Sequence, residues 1–523
     1  MVNVRGTQSL QQKKVLNFLG GAAAYSLEPA TVDCIETHAS FVFLAGDFAY
    51  KVKRAVKYPF LDFSTLEKRH AACVNELRLN TRTAPQLYLE VVPVTAQPDG
   101  GLQLRGAGTV VEWVLVMRRF DQDGLFDRLA ERGRLPVEAM GDLATAIAAL
   151  HAAADRDLTA DQAVRPLRGV VADHETVLAE RSDVFGTEAA QDLARRTRET
   201  FLALIGTLRE RAQDGYVRHC HGDLHLRNIV EIDGRPVLFD ALEFDDSLAT
   251  IDVLYDLAFL LMDLGKRGLR PHANAVLNAY LDGGDSSGNL LGLAALPFFL
   301  SLRAMIRAKV ELLRADAAEA GTAAQIRDDA RAYFDLARGF LAAGAPPSSS
   351  AIGGLSGSGK SAVARAIAAD IGAFPGAVHV RSDVERKRLF GVAPDSRLPQ
   401  RAYEASVSPQ VYAMCRKRAG WALSAGRSVI VDAVHAKPEE RDAVAALAAA
   451  HGADFTGLWL EAPLDVMRGR VADRRGDVSD ATPSVVDAQA AYDLGVVDFD
   501  RIDASGDVDT VAAACLARIA AKV

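Results

Sequence analysis

The run Gly354-Leu355-Ser356-Gly357-Ser358-Gly359-Lys360-Ser361 is built to receive an anion. Gly354, Gly357 and Gly359 let successive backbone N–H groups turn inward as a nest that includes Ser358, and the helix expected next adds its positive N-terminus. Lys360 would reach the β and γ phosphates of a nucleotide and the Ser361 hydroxyl would ligate Mg²⁺, completing a G-x4-G-K-S phosphate loop. A second run, His221-Gly-Asp223-Leu-His-Leu-Arg-Asn228 followed by Val237-Leu-Phe-Asp240, offers complementary chemistry. Phosphoryl transfer needs a carboxylate that orients a hydroxyl or accepts its proton, and oxygen ligands for the metal bridging the phosphates. Asp223 is then the candidate base, with Asn228 and Asp240 the candidate Mg²⁺ ligands.

Ser428-Val-Ile-Val-Asp432 reads as an apolar strand ending in a carboxylate, suited to hold Mg²⁺ beside the phosphate loop. His379-Val-Arg-Ser-Asp383 is another such strand, followed by Arg386 and Arg388. Ligands of open α/β sheets sit beyond the carboxyl ends of the strands. Asp383 is therefore placed to hold or deprotonate an acceptor hydroxyl, with Arg386 near for anionic groups; the same aspartate could instead cap the next helix. Farther on, Arg468-Gly-Arg-Val-Ala-Asp-Arg474-Arg475 could form a lid whose Arg474 and Arg475 neutralise the transferring phosphate, or a solvated helix face. His225 reads as a structural hydrogen-bonding residue, and Asp252 and Asp256 as braces for the loop around Asp223.

The pattern also predicts the elements that must carry these groups. Residues 41–44 and 48–53, joined by Ala45-Gly46-Asp47, read as a hairpin, 66–79 as a helix, and 87–94 and 110–117 as strands. Mostly helical text follows, interrupted by a hairpin around Asp233-Gly234. A small β-rich lobe (about 30–118) before a helical lobe (about 119–340) is a kinase-like layout for a first domain, 1–342. Residues 343–350, with a Pro pair and a Ser run, suit a linker. In 351–523, strands alternate with helices, which predicts a parallel sheet. The expected fold class is an α+β two-lobed protein-kinase-like domain followed by an α/β P-loop NTPase domain.

Composition narrows the function classes. The chain is 49% hydrophobic and 24% charged, ordinary globular usage that argues against disorder. Sixty Lys+Arg against 68 Asp+Glu give a net charge of -8, which argues against coating nucleic acid or an anionic membrane. Five dispersed cysteines without a CxxC pair suggest a reducing compartment. The apolar stretches 253–262 and 290–302 fall short of a membrane span and read as buried helices. The expectation is a cytoplasmic protein with no nucleic-acid or membrane partner; its oligomeric state leaves no mark on the sequence.

Residues 351–523 resemble the small P-loop kinases grouped with gluconate kinase, chloramphenicol phosphotransferase and zeta toxins, through the phosphate loop, RSDVERKRL at 381–389 and the Arg-rich segment near Arg474. Residues 32–341 resemble the aminoglycoside phosphotransferase and choline kinase branch of the protein-kinase-like fold, through the Asp223–Asn228 loop and Asp240. That resemblance implies further roles upstream. Phe48-Ala-Tyr-Lys51 resembles the strand-three V-A-I-K, making Lys51 the phosphate-binding lysine, with Lys53 on the same face a rival. Glu76 becomes its helix partner, and Met117 to Phe120 the hinge that receives adenine. There are departures: no G-x-G-x-x-G precedes Lys51, the metal aspartate sits in Phe-Asp-Ala-Leu-Glu, and no activation loop is recognisable. The arrangement resembles bacterial fusions described as bifunctional aminoglycoside phosphotransferase/ATP-binding proteins. It implies ATP- and Mg²⁺-dependent transfer to a hydroxyl of a small molecule (sugar, amino sugar, aminoglycoside or amino alcohol), with the P-loop domain transferring phosphate as well. The alternative is one active kinase domain regulated by the other acting as a nucleotide sensor.

Overall fold

In the computed structural model of the chain, the described residues are 10–25, 31–37, 39–58, 61–157, 159–283, 287–393, 396–404, 406–473 and 479–522. They pack as two compact units: one comprises Met1–Ala194, Phe201–Asp263 and Met305–Tyr333, the other Arg195–Thr200, Leu264–Ala304 and Phe334–Val523.

The first unit opens with helix α1 (Leu10–Leu19) and a six-stranded antiparallel sheet of β1 (Val32–Glu36), β2 (Ser40–Ala45), β3 (Phe48–Lys53), β4 (Tyr88–Ala96), β5 (Leu102–Leu104) and β6 (Thr109–Arg118), in the order β1-β2-β3-β6-β4-β5. Alternation along β3 sets what each face does. Tyr50 and Val52 join Phe41, Phe43, Val94 and Val114 in a core that α1 covers with Val15 and Leu19. Lys51 and Lys53 therefore point to the opposite face. Helix α2 (Leu66–Asn80) lies there; Thr65 caps it by accepting the Lys68 N–H. Its buried positions Arg69, Ala72, Cys73, Glu76 and Asn80 recur at helical spacing and bring Glu76 to the middle of the stripe.

The helical part carries the hairpin β7 (Ile229–Ile232) and β8 (Arg235–Leu238). Its turn puts both Asp233 (φ 51) and Gly234 (φ 72) in the left-handed region, as a tight two-residue hairpin requires. Helix α3 (Val253–Lys266) follows, buried along almost its whole length. The helical run Ser287–Ala317 is long and apolar enough to cross a membrane by composition, longer than the 290–302 stretch suggested, but 78% of its most apolar window is buried inside the protein.

The second unit contains helix α4 (Arg270–Asp282) and holds a five-stranded, all-parallel sheet of β9 (Ser348–Gly353), β10 (Val378–Arg381), β11 (Val429–Asp432), β12 (Asp454–Glu461) and β13 (Asp500–Asp503), in the order β10-β11-β9-β12-β13. Ile352, Ile430, Leu458 and Ile502 from four of these strands share one core with Val363 and Ile367 of α5 (Lys360–Ala368). The serine run read as linker is corrected here. Ser348–Ser350 start the central strand, and Ser349 and Ser350 are buried because β9 pairs on both sides. A polar composition suggested flexibility, whereas the backbone position demanded a strand.

Candidate active sites

In the first unit, the strand, helix and loop converge through charge. Lys51 Nζ lies 2.7 Å from Glu76 Oε1 and 2.6 Å from Asp240 Oδ1. Lys53 Nζ takes the other oxygen of Glu76 at 2.5 Å and also pairs with Glu243. The two lysines differ in exposure. Lys53 is 1% exposed and enclosed by its two acids, while Lys51 faces Asp240, whose side chain is 39% exposed. Burial alone would lower the Lys51 ammonium, but Asp240 and Glu76 outweigh it and hold it well above the ordinary range.

Asp240 has a positive φ of 59°, a conformation that few side chains adopt and that is stabilised here by its neighbours. Its backbone N–H donates to the Tyr88 hydroxyl at 3.1 Å, and the next N–H, of Ala241, to Asn80 Oδ1 at 2.9 Å. Burial raises its carboxyl, but Lys51, by charge and hydrogen bond, brings it below the ordinary value.

The Asp223 loop is clamped from beneath by α3. Asp256 accepts the backbone N–H groups of His221 at 3.1 Å and Gly222 at 2.8 Å, the bracing expected from sequence. Asp252, expected to brace the same loop, instead pairs with Arg211 at 2.6 Å. Asp263, unforeseen, accepts from Leu226 N at 3.0 Å; it lies two turns beyond Asp256 on the same helix, a spacing that could have exposed it. Asn228 donates its side-chain amide to Asp223 Oδ2 at 3.0 Å, which leaves its own amide oxygen for another partner. His225 Nε2 is 3.4 Å from the same Asp223 oxygen, so this histidine touches the candidate base. Burial pushes the Asp223 carboxyl up, but His225, His221 and Arg307 together hold it well below the usual range.

Met117 lies within β6, paired with Ala49, and packs towards Tyr88, Leu115 and Phe239. The segment leaving β6 instead borders a cavity of about 630 Å³ lined by Ile35, Leu44, Asp47, Arg119, Phe120 and Gln122. The opening beside the strands thus falls one step beyond Met117.

In the second unit the phosphate loop joins β9 to α5. Gly354 (φ 136), Gly357 (φ 85) and Gly359 (φ 93) all take positive φ. A Cβ on Gly357 would meet the Met467 carbonyl oxygen at 2.5 Å, so close backbone approach also requires glycine there. Lys360 Nζ donates to Leu355 O at 2.9 Å, folded over the loop, and Ser361 Oγ donates to Asp432 Oδ2 at 2.5 Å. His379 Nε2 is 3.3 Å from the same oxygen. Burial raises Asp432, but His379, Lys360 and Ser361 bring it down to about 2. Gln489 Oε1, from α7 (Pro483–Ala490), accepts from the loop N–H of Ser356 at 2.7 Å; no motif marked that residue.

Asp383 lies inside the first turn of α6 (Ser382–Leu389), whose cap position is Arg381 and whose cap makes no side-chain bond, so the capping alternative fails. Burial, then the Asp432 charge, raise its carboxyl above the ordinary value despite Ser479, Lys360 and Arg386. Arg386 donates to Ala402 O at 2.7 Å and lies 5.3 Å over the Tyr403 ring, and the Tyr403 hydroxyl donates to Asp480 at 2.8 Å. Arg474 and Arg475 lie outside the described residues.

Each unit thus gathers a lysine ammonium, oxygen donors and a further carboxylate within one region. Comparisons with known proteins show what the chain is similar to. Residues 61–291 match the model of the phosphotransferase enzyme family, and residues 351–493 match an AAA-domain model. An uncharacterised protein of Mycobacterium tuberculosis strain H37Rv is 33% identical over 490 residues, 91% of this chain and 93% of the relative. Among solved structures, a gluconokinase from Sinorhizobium meliloti 1021 aligns with 34% of this chain and 93% of its own (23% identity, TM-score 0.25). A choline/ethanolamine kinase family protein from Mesorhizobium loti aligns with 64% and 96% (14% identity, TM-score 0.38).

Proposed function

This chain belongs to the family of the mycobacterial relative, a phosphotransferase domain fused to a P-loop kinase-like domain, and on that premise we propose that it is an ATP- and Mg²⁺-dependent small-molecule kinase with two phosphoryl-transfer centres. The observation that carries the reading is Lys51 bonded to both Glu76 and Asp240, with Asp223 and Asn228 on the neighbouring loop.

In the first centre, the cavity beside Leu44 and Phe120 receives the base and Lys51 orients the phosphates. The Asn228 amide oxygen and the Asp240 carboxylate are hard oxygen donors of the kind Mg²⁺ prefers, and no thiol stands among them. Mg²⁺ bound there would neutralise charge on the phosphates. Asp223 accepts the proton of the acceptor hydroxyl as that oxygen bonds to the γ phosphorus and the bond to the leaving diphosphate breaks. His225 keeps Asp223 ionised and aimed.

In the second centre, the loop N–H groups and Lys360 hold the phosphates, Ser361 and Asp432 would hold the metal, and Asp383 receives the hydroxyl proton. The acceptor is a hydroxyl compound among sugars, amino sugars, aminoglycosides and amino alcohols. The second reading, a single kinase gated by nucleotide in the other unit, is kept for the P-loop unit, where a phosphate loop serves a sensor equally well.

A mass-spectrometric screen of such compounds with ATP and Mg²⁺ tests the proposal, with wild type beside Asp223→Asn and Lys360→Ala. A phosphorylated product lost in one variant assigns the chemistry to that unit; ATP consumption in neither unit with any acceptor contradicts it.

The two carboxyls differ in direction, so the two activities should differ in acid tolerance. Asp223 is held low and stays ionised as pH falls, whereas Asp383 is held high and protonates first. Transfer that depends on Asp383 should fail at a higher pH than transfer that depends on Asp223. Rate profiles of Asp223→Asn and Lys360→Ala, each isolating one centre, check this; coincident acid limbs would contradict the assignment.

A further inference from the structure

Helix α4 precedes the sheet of the second unit by some seventy residues of chain, and its side chains run along the outer edge of that sheet. Strand β10 is an edge strand: β11 pairs with one side, and among the described residues no strand pairs with the other. Two of the outward groups at its start are Ala377 O and His379 N, two residues apart. An edge strand with such groups inside the protein must find other partners. Asn278 supplies both: Oδ1 accepts from His379 N at 2.7 Å, and Nδ2 donates to Ala377 O at 3.1 Å. One amide side chain thus makes two of the bonds that a neighbouring strand would make.

Asn274, one turn earlier and buried, donates to the same Ala377 oxygen at 3.1 Å and is bonded to Asn278 Nδ2 at 3.0 Å, which fixes the orientation of both amides. The approach is close enough that a Cβ on Gly376 would meet Asn274 Nδ2 at 2.8 Å. At the start of α4, Arg270 donates to Ala369 O and Gly372 O. At its end, Asp282 Oδ2 accepts from Arg381 at 2.6 Å and its carbonyl from Arg388 at 2.9 Å, the two arginines that flank Asp383.

The residue held by Asn278 is the one that holds the candidate metal ligand. His379 has its backbone N–H on Asn278 and its imidazole Nε2 on Asp432 Oδ2, the oxygen that also accepts from Ser361. We infer that Asn278 is a positioning residue of the P-loop centre, setting the Asp432 carboxylate for Mg²⁺ through His379. The inference rests on the P-loop reading above. It makes part of the second centre from residues that stand in the sequence stretch of the first, between its catalytic-loop braces and the linker. Outer partners of this kind orient the ligand, and their loss typically costs 10- to 100-fold in metal affinity.

The test uses the full chain with Lys51→Ala, so that the nucleotide still bound tightly belongs to the P-loop unit and is weakened about 10- to 150-fold on adding Lys360→Ala. Binding of a fluorescent ATP analogue is measured in EDTA and across a MgCl₂ titration. Asn278→Ala is expected to raise the Mg²⁺ concentration at half-effect by about tenfold or more, with affinity in EDTA little changed because the loop and Lys360 carry it. Asn278→Asp, which keeps the acceptor for His379 N–H, is expected to recover much of the loss. An Asn278→Ala protein that folds and titrates like wild type overturns the inference. If that variant does not fold, His379→Asn decides: it should show the same Mg²⁺ shift, and an unmoved titration overturns the route through His379. Absence of any Lys360-dependent nucleotide binding overturns the P-loop reading itself and this inference with it.

Discussion

Asp223→Asn is expected to slow phosphoryl transfer by the first unit about 10²- to 10⁴-fold, the range for loss of a positioned base, while its Mg²⁺–ATP affinity stays near that of wild type. The substitution keeps the shape of the side chain, and an asparagine oxygen can still accept from Asn228 Nδ2. What disappears is the negative charge that His225, His221 and Arg307 hold in place and that receives the hydroxyl proton. The loop itself should survive, because Asp256 and Asp263 grip its backbone and not the Asp223 side chain. The measurement is single-turnover transfer to whichever acceptor the screen identifies, beside direct ATP binding. Full activity in this variant would place the base elsewhere; lost ATP binding would make Asp223 part of the nucleotide site.

Lys360→Ala is expected to weaken nucleotide binding by the second unit roughly 10- to 150-fold, since a hydrogen bond to a charged group contributes about 1.5–3 kcal/mol. Lys360 now donates to Leu355 O across the loop, and phosphate oxygens would replace that neutral acceptor with charged ones. Removing the ammonium also leaves Asp432 and Asp383 with less positive charge nearby, since Lys360 lowers both carboxyls. Calorimetry on the Lys51→Ala chain, with and without Lys360→Ala, reads the loss. Unchanged affinity would mean that the glycine-rich turn does not cradle phosphate.

What could be read from the sequence was what depends on neighbours along the chain. The phosphate loop announces itself because several glycines, a lysine and a serine must be consecutive to form a nest. The Asp223–Asn228 spacing and the Asp-Gly hairpin are equally local, and Asp432 ends an apolar strand that any α/β sheet would bury. Glu76 was reachable only through family resemblance; the helical stripe of α2 sets it 2.7 Å from Lys51. Long-range anchors left no trace. Tyr88 and Asn80 fix the backbone at Asp240 from a strand and a helix some 150 residues away, and neither has a spacing that marks it. The edge of the parallel sheet is completed by Asn274 and Asn278, which read as ordinary polar positions of a helix in the preceding region. The serines at 348–350 misled for the opposite reason: composition spoke for a linker, while pairing on both sides made them the centre of a sheet.

The claim that one chain holds two phosphoryl-transfer centres is tested most directly by the stoichiometry of Mg²⁺–ATP binding. Isothermal titration of the full chain, counting sites of wild-type affinity, should give two nucleotides per chain, one after either Lys51→Ala or Lys360→Ala, and none after both. A single site in wild type, or two sites that survive both substitutions, would contradict it.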